Sequence, residues 1–335
     1  MNGLPPLTLP VLRQLSSDSF LSGEAIAQRL NCSRATIHNA IHAAQDMGFC
    51  VHAVHGRGYR LAAPVSWLDS VQLEQHFAQR DIALHYFDQL DSTNAELLRW
   101  AALAEPLRAP HRALICAEWQ AQGRGRRGRD WHAGLGEGVA FSMLWRSSRP
   151  AAQLSGLSLA IGAALVQSLR DLGLTEAQVK WPNDIQVGGA KLAGVLIELA
   201  SDKLSSDVLA PCSAVIGIGV NVAGGEQMTQ RVGQPVTDLQ AHLGMLDRNR
   251  ILLHLVAALD AALLRFEVDG FAAFRLSWEA CHAHQKRAVC LHSGSAEAVC
   301  GIALGVDAQG ALLLETPAGV QAFHSGEVSL RPVPS

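Results

Sequence analysis

Net charge, paired cysteines and long apolar runs are all in short supply in this chain. Acidic residues outnumber lysine plus arginine by only 30 to 27, so no overall basic character draws it to nucleic acid, and any such contact must be a local patch. Its seven cysteines are odd in number and never spaced C-x-x-C. That disfavours a disulfide framework and favours a reducing, cytoplasmic setting. Cys281, His282 and His284 cluster, but they read as the end of a helix, and no side-chain motif for a metal is expected. No apolar run approaches the roughly 18 residues of a membrane span, and the N-terminus carries no charged-then-apolar signal pattern. No membrane partner is therefore expected. Internal repeats and low-complexity segments are absent. Aromatics make up only 5%, yet apolar residues reach 49%, enough for a sizeable core and against disorder. A length of 335 residues suggests two or three domains.

Against this background one stretch stands out, Gly123-Arg124-Gly125-Arg126-Arg127-Gly128-Arg129-Asp130-Trp131. Arginines so close together repel and do not help folding, but guanidinium forks bind carboxylates and phosphates bidentately. The glycines allow close backbone approach. The stretch reads as a loop closing over an anionic substrate; the bland alternative is a solvated or nucleic-acid patch. It satisfies G-x-G-x-x-G formally, but Asp130 to Gly134 does not look helical and no acid lies between Gly138 and Arg170, so a nicotinamide site is disfavoured. No glycine turn matches a P-loop.

Residues 1–63 read as a winged helix-turn-helix. A helix begins at Ser22-Gly23-Glu24, Asn31-Cys32 breaks it, and Ser33 caps a second helix with Ile37, Ile41 and Ala44 on one face. A hairpin-like wing follows, with Arg57 at its tip. Ser33, Arg34, Thr36, His38, Asn39, His42 and Arg57 could face DNA. Five arginines against three acids give these residues a net of +2, a thin electrostatic footprint. A wing kept for protein contacts or lid positioning stays open.

Pro64 marks a linker to a second region, 66–285. There the expectation is a helix over 68–79, a strand over 82–87, and a helix begun by Asp91-Ser92-Thr93-Asn94. These last residues could simply cap it or could hold a neutral polar head group. Strands are expected at 113–117 and 139–145, a central helix at 157–172, and a strand that ends or bulges at Pro182. Strands follow from Lys191 and over 215–222, where Gly217 and Gly219 permit close approach by a ligand. Helices are expected over 243–266 and 271–284. Alternating strands over 289–306 and 312–330 suggest a small β-barrel over 286–335.

Taken together, Ser22–Ile37 (SGEAIAQRLNCSRATI), DSTN at 91–94, Gln120 before GRGRRGRDW, KWPND at 180–184, KLAGVLIE at 191–198, GIGVNV at 217–222, GALLLE at 310–315 and GEVSLRP at 326–332 resemble the biotin protein ligases, specifically the bifunctional class that doubles as biotin operon repressor. The resemblance covers nearly the whole chain. It implies an α+β chain: a winged helix-turn-helix, a mixed-sheet catalytic domain of the biotin/lipoate ligase type and an SH3-like β-barrel. It implies activation of biotin with ATP and Mg2+, and transfer to a lysine of biotin carboxyl carrier protein. By motif position, Ser92, Thr93 and Asn94 would hold the ureido and adjacent parts of biotin. Gln120 and the backbone of Gly123, Arg124, Gly125 and Arg126 would flank it. Arg124, Arg126 and Arg129 would border carboxylate and phosphates, and Lys191 would sit between the carboxylate and the α-phosphate. Trp131 would cover adenine, Asn183 and Asn221 would lie on the nucleotide side, and Asp184 would assist the incoming lysine or a metal. Operator DNA and a homodimer formed with biotinyl-AMP bound are the further partners implied. Two rivals remain: a non-enzymatic biotin-sensing repressor, which would not need Lys191 and the arginine loop, and a lipoate or octanoate ligase, which would need neither that loop nor an adenine-covering tryptophan.

Overall fold

The computed structural model describes residues 3–103, 109–200, 210–293, 298–324 and 328–332. Its N-terminal module holds α1 (Thr8–Leu12), α2 (Gly23–Arg29), α3 (Arg34–Asp46) and the hairpin β1 (Val51–Val54) and β2 (Gly58–Leu61). Ser22 and Ser33 cap α2 and α3 by accepting from Ala25 N and Thr36 N, which satisfies donors the helix cannot. Ile26, Ile37, Ile41 and Ala44 face its apolar core.

The central domain follows with α4 (Ser70–Ala78), β3 (Ala83–Leu90), α5 (Thr93–Ala101), β4 (Ala113–Gln120), the short β5 (Gly123–Arg124) and β6 (Asp130–Trp131), β7 (Gly138–Ser147) and α6 (Leu157–Asp171). Then come β8 (Gln178–Lys180), β9 (Asp184–Val187), β10 (Ala190–Ala200), β11 (Cys212–Asn221), α7 (Gly225–Val232), α8 (Leu239–Leu243), α9 (Arg248–Asp269) and α10 (Arg275–Cys281). Seven strands form one sheet in the order β3-β4-β7-β11-β10-β9-β8. The β3–β4 pair is parallel and the others antiparallel, so the sheet is mixed. Period-two alternation divides its faces. Phe141, Met143, Ile216, Ile218 and Val220 join the main core with α6 and α9, whereas Leu144 and Val215 pack with Leu97 of α5. Gly217, Gly219 and Ser142 share the α5 face by parity, and there the sheet lacks a full helical cover. The stretch Ala151–Asp171 is long and apolar enough to cross a membrane by composition, contrary to the sequence reading. Leu159, Ile161, Leu165 and Leu169 are buried in the core, which accounts for its apolarity.

The last region holds β12 (Ala288–Ser293), β13 (Val299–Val306), β14 (Leu312–Thr316), β15 (Gly319–Phe323) and β16 (Val328–Pro332). They make a small antiparallel sheet in the order β15-β14-β13-β12-β16. Of the GEVSLRP motif, Gly326 and Glu327 lie outside the described residues.

Several expectations need correcting. The helix expected over 243–266 starts only at Arg248: the preceding α8 ends before Gly244, whose φ is +73°, and Asp247 caps a fresh start by accepting from Asn249 N. The helix expected over 271–284 ends at Cys281, because His282 turns extended and bridges to Val179. The strand does end before Pro182, but the bulge lies across the turn, in β10 between Lys191 and Ala193. Cysteine usage also differs: Cys290 and Cys300, directly opposed on β12 and β13, form a disulfide with Cα atoms 4.0 Å apart. Ten residues separate the pair, and only hairpin register makes them neighbours.

The linker is tied down. Buried Arg248 donates to Ser66 O and Gly138 O and pairs with Glu118. Glu118 accepts from Leu68 N at 3.1 Å, and Asn249 Nδ2 donates to Trp67 O at 2.9 Å. The N-terminal module docks through Arg13 Nη1 to Asp88 Oδ1 at 2.8 Å and Leu4 N to Gln89 Oε1 at 2.8 Å. Trp119 and Leu135 of the central domain belong to the module's own apolar cluster.

Candidate functional site

A cavity of about 450 Å³ opens on the α5 face of the sheet, within the range of small-ligand sites. Three sources build it. The β3–α5 junction brings Ser92, Thr93 and Asn94, each under 5% exposed. The β5–β6 loop brings Arg124, Gly125, Arg126, Arg127 and Arg129, and the β8–β10 turns bring Asn183, Asp184 and Lys191. Gly217, Gly219 and Asn221 of β11 form the floor.

At one end the groups are neutral and polar. Ser92 caps α5 and Thr93 N donates to Gln120 Oε1 at 2.8 Å. Capping and ligand binding therefore do not compete for the same residues: Ser92 serves the helix while Thr93 and Asn94 turn inward. Asn94 occupies the space over Gly217, where a Cβ would come within 2.1 Å of its Oδ1.

At the other end the groups are charged. Lys191 Nζ lies 2.8 Å from Asp184 Oδ1 and 5.6 Å from the Trp131 ring centroid. Arg126 Nη1 donates to Asn183 Oδ1 at 3.0 Å; burial, then the neighbouring Arg127, lowers its pKa. Asn183 Nδ2 donates to Val195 O, which fixes the loop that follows the cis Trp181–Pro182 bond. The Trp131 indole lies against Gly219, where a Cβ would meet it at 2.4 Å, and its buried N–H has no partner. Asn221 Nδ2 donates to Thr237 O at 3.2 Å, so its amide also braces the segment after α7. Arg124 pairs with Glu198 at 3.5 Å and stays half exposed, while Arg129 is exposed.

Every expected ligand residue lines this cavity save Gly123. Gly123 is buried in the β5–β6 ladder opposite Trp131, where a Cβ would strike Trp131 O at 2.4 Å. It anchors the base of the loop. The sequence reading missed Arg127, Ser142 and Glu198. Ser142 has one signal, a hydroxyl within the otherwise apolar run Val139 to Trp145; Glu198 closes KLAGVLIE but shows no chemistry until Asn94 is placed beside it.

On the N-terminal module, Ser33, Arg34, His38, Asn39 and His42 form the exposed face of α3 and its cap, while Thr36 is half-buried and engaged with the Ser33 hydroxyl at 2.9 Å. Exposed Arg57 projects from the wing and stacks over Phe20 at 4.5 Å.

Among the described residues no group of three His, Cys, Asp or Glu could hold a metal ion. Asp130 and Asp184 are the carboxylates on the cavity wall, a set suited to an ion that keeps most of its water and substrate oxygens.

Residues 86–230 match the biotin/lipoate A/B protein ligase family, residues 9–60 an HTH domain and residues 291–331 the biotin protein ligase C-terminal domain. The chain is 37% identical over 326 residues to the bifunctional ligase/repressor BirA of Salmonella typhimurium, covering 97% of each. It is 37% identical to BirA of Escherichia coli over 96% of this chain and 97% of that one. Among solved structures, the biotin protein ligase of Aquifex aeolicus in complex with biotin and ATP superposes with a TM-score of 0.63 at 27% identity, over 75% of this chain and 99% of that one. With a winged module, a mixed-sheet ligase domain and a small C-terminal β domain all in place, this chain belongs to the family of bifunctional biotin protein ligases and biotin operon repressors.

Proposed function

We propose that this chain activates biotin with ATP to biotinyl-5'-AMP and transfers biotin to a lysine of biotin carboxyl carrier protein. The observation that carries this reading is the division of one cavity into a neutral hydrogen-bonding end at Thr93 and Asn94 and a cationic end at Lys191 and Arg126. Biotin has a neutral cyclic ureido head and an anionic tail, and it fits that division. Its carboxylate must attack a phosphate that is also anionic. Two such charges 4 Å apart repel by about 4 kcal/mol at an effective dielectric of 20. Lys191, Arg124, Arg126 and Arg129 offset that repulsion and stabilise charge developing on the phosphoryl oxygens. The chemistry then needs positioning more than covalent help. The mixed anhydride is hydrolysis-prone, so the arginine loop excludes water while it is held and yields to the acceptor lysine. Asp184, paired with Lys191, stands where it can guide that lysine. Asp184 or Asp130 on the cavity wall would hold a Mg2+ arriving with ATP, which would supply charge neutralisation for the departing pyrophosphate.

The repressor role is supported by the exposed polar face of α3 and the wing arginine, and we assign Ser33, Arg34, His38, Asn39 and Arg57 to operator DNA. Pairing of two chains once the adenylate forms completes this reading, and the carrier, nucleotide and operator together place the work in the cytoplasm. Incubation with labelled ATP and biotin, lipoate or octanoate tests the enzyme: adenylate from biotin alone supports it, and adenylate only from another acid overturns it. An electrophoretic shift with the gene's upstream region, run with biotin and ATP, tests the repressor; no shift at low salt removes the DNA role. Sedimentation with and without biotin plus ATP tests the dimer; an unchanged mass counts against it.

A further inference from the structure

Behind the neutral end of the cavity runs a hydrogen-bond chain whose last member, Glu198, has no assigned role. Thr93 Oγ1 and Ser142 Oγ are 2.7 Å apart, Ser142 Oγ donates to Asn94 Oδ1, and Asn94 Nδ2 donates to Glu198 Oε2 at 3.0 Å. Ser142 is fully buried, and Thr93 and Asn94 nearly so. Those three members are thus shielded from water, while Glu198 at the end of the chain keeps 30% of its side chain exposed.

Each hydroxyl has one proton to give, so the chain has two self-consistent directions. In the first, Ser142 donates to Asn94 Oδ1 and the Asn94 amide N–H to Glu198, so the one Thr93 proton goes to Ser142 at 2.7 Å in preference to Gln120 Oε1 at 3.1 Å, which already accepts from Thr93 N. In the second the amide turns over: its N–H donates to Ser142, Ser142 donates to Thr93, and Thr93 donates to Gln120 Oε1, which lies 3.1 Å away. The second direction sets Asn94 Oδ1 against the Glu198 carboxylate, two acceptors face to face. Glu198 is charge-paired with Arg124 at 3.5 Å, and an ionised carboxylate can only accept. It therefore selects the first direction.

We propose that Glu198 is a positioning residue for the biotin head group. Acting through Asn94 and Ser142, it commits the Thr93 proton inward. Thr93 Oγ1 then faces the cavity with lone pairs only and selects a ligand N–H over a ring oxygen. A buried acceptor left facing another acceptor is costly, which is how such a site discriminates between analogues of one shape. This deepens the ligase reading and rests on its placement of the ureido ring at Ser92 to Asn94.

The test uses the full-length chain and the pyrophosphate-release assay. KM is measured for biotin and for the two cyclic carbamate analogues in which a ring oxygen replaces one ureido N–H. The proteins compared are wild type and the variants Glu198→Leu, Glu198→Gln, Ser142→Ala and Thr93→Val. Wild type is expected to prefer biotin over at least one analogue. Glu198→Leu should raise KM for biotin about tenfold, leave KM for ATP unchanged and collapse that preference. Glu198→Gln, whose amide oxygen still accepts from Asn94, should keep most of it. Ser142→Ala should match Glu198→Leu, and the double variant should be no worse than either. Full wild-type preference in Glu198→Leu overturns the proposal. If Thr93→Val removes the preference while Glu198→Leu keeps it, the head group sits at Thr93 and only the relay is wrong. If Thr93→Val also keeps it, the head-group placement itself falls.

Discussion

Lys191 Nζ and Asp184 Oδ1 stand 2.8 Å apart beside the β10 bulge, each side chain about a quarter exposed (25% and 26%). The lysine is thereby held at the cavity wall before any anion arrives. Lys191→Ala should cut biotin-dependent pyrophosphate release by about 100- to 1,000-fold, the scale of losing one preorganised donor to a developing oxyanion, while biotin binding by calorimetry largely survives. Near-normal pyrophosphate release would end the assignment.

Arg126 bridges the loop to Asn183 at 3.0 Å, so its removal loosens the cover without emptying the cavity. Arg126→Ala should still form adenylate but release it, seen as labelled biotinyl-AMP in the filtrate and biotin on bystander proteins. Retention of the adenylate as tight as wild type counts against the loop as a water-excluding cover.

Trp131 lies where a Cβ on Gly219 would come within 2.4 Å of it. Gly219→Ala should push the indole off β11, shift tryptophan emission, and raise KM for ATP about tenfold, an overpacking cost of about 1–3 kcal/mol, with KM for biotin little changed. An unaltered KM for ATP would show that this indole does not border the nucleotide.

The Arg248–Glu118 pair has 1% and 0% side-chain exposure. Removing one member leaves a buried charge alone, so Arg248→Met should cost about 3–5 kcal/mol in urea unfolding. Adding Glu118→Leu to it should recover part of the loss. A single variant as stable as wild type would mean that the pair does not bind the linker to the sheet.

His282 stacks on Trp278 at 4.4 Å, and its Nε2 and the His284 Nδ1 are buried without partners. Burial, then the neighbouring imidazole, lowers His282 to about 4, and burial, then Lys180 and Arg287, lowers His284 to about 4. The unfolded chain binds these protons near 6.5, so stability is fully present above that pH and falls as pH drops from about 6.5 toward 4. Melting temperature should decline over that window, and His282→Gln with His284→Gln should flatten the decline. An equally steep decline in the double variant would assign it to other groups.

Chemistry that sits in consecutive residues was legible in the sequence, and chemistry assembled across strands was not. The arginine loop, DSTN and KWPND each bring their polar groups to the cavity within a few residues, so their character shows in one dimension. Ser142 and Glu198 look ordinary until β7 and β10 place them beside α5. Gly123 also serves a two-residue ladder with Trp131, a demand that spacing alone does not separate from ligand approach. The 243–266 helix starts late because a positive-φ glycine at 244 and the Asp247 cap outweigh continuous apolar periodicity. The disulfide escaped for the same reason as Ser142: its partner is set by register.

Leu135 is seated in the apolar core of the winged module, and Trp131 lies only four residues before it, against the cavity floor. Four residues reach at most about 14 Å when fully stretched. The segment is therefore a short leash between the winged module and the indole on the cavity floor: neither can swing far without tugging on the other.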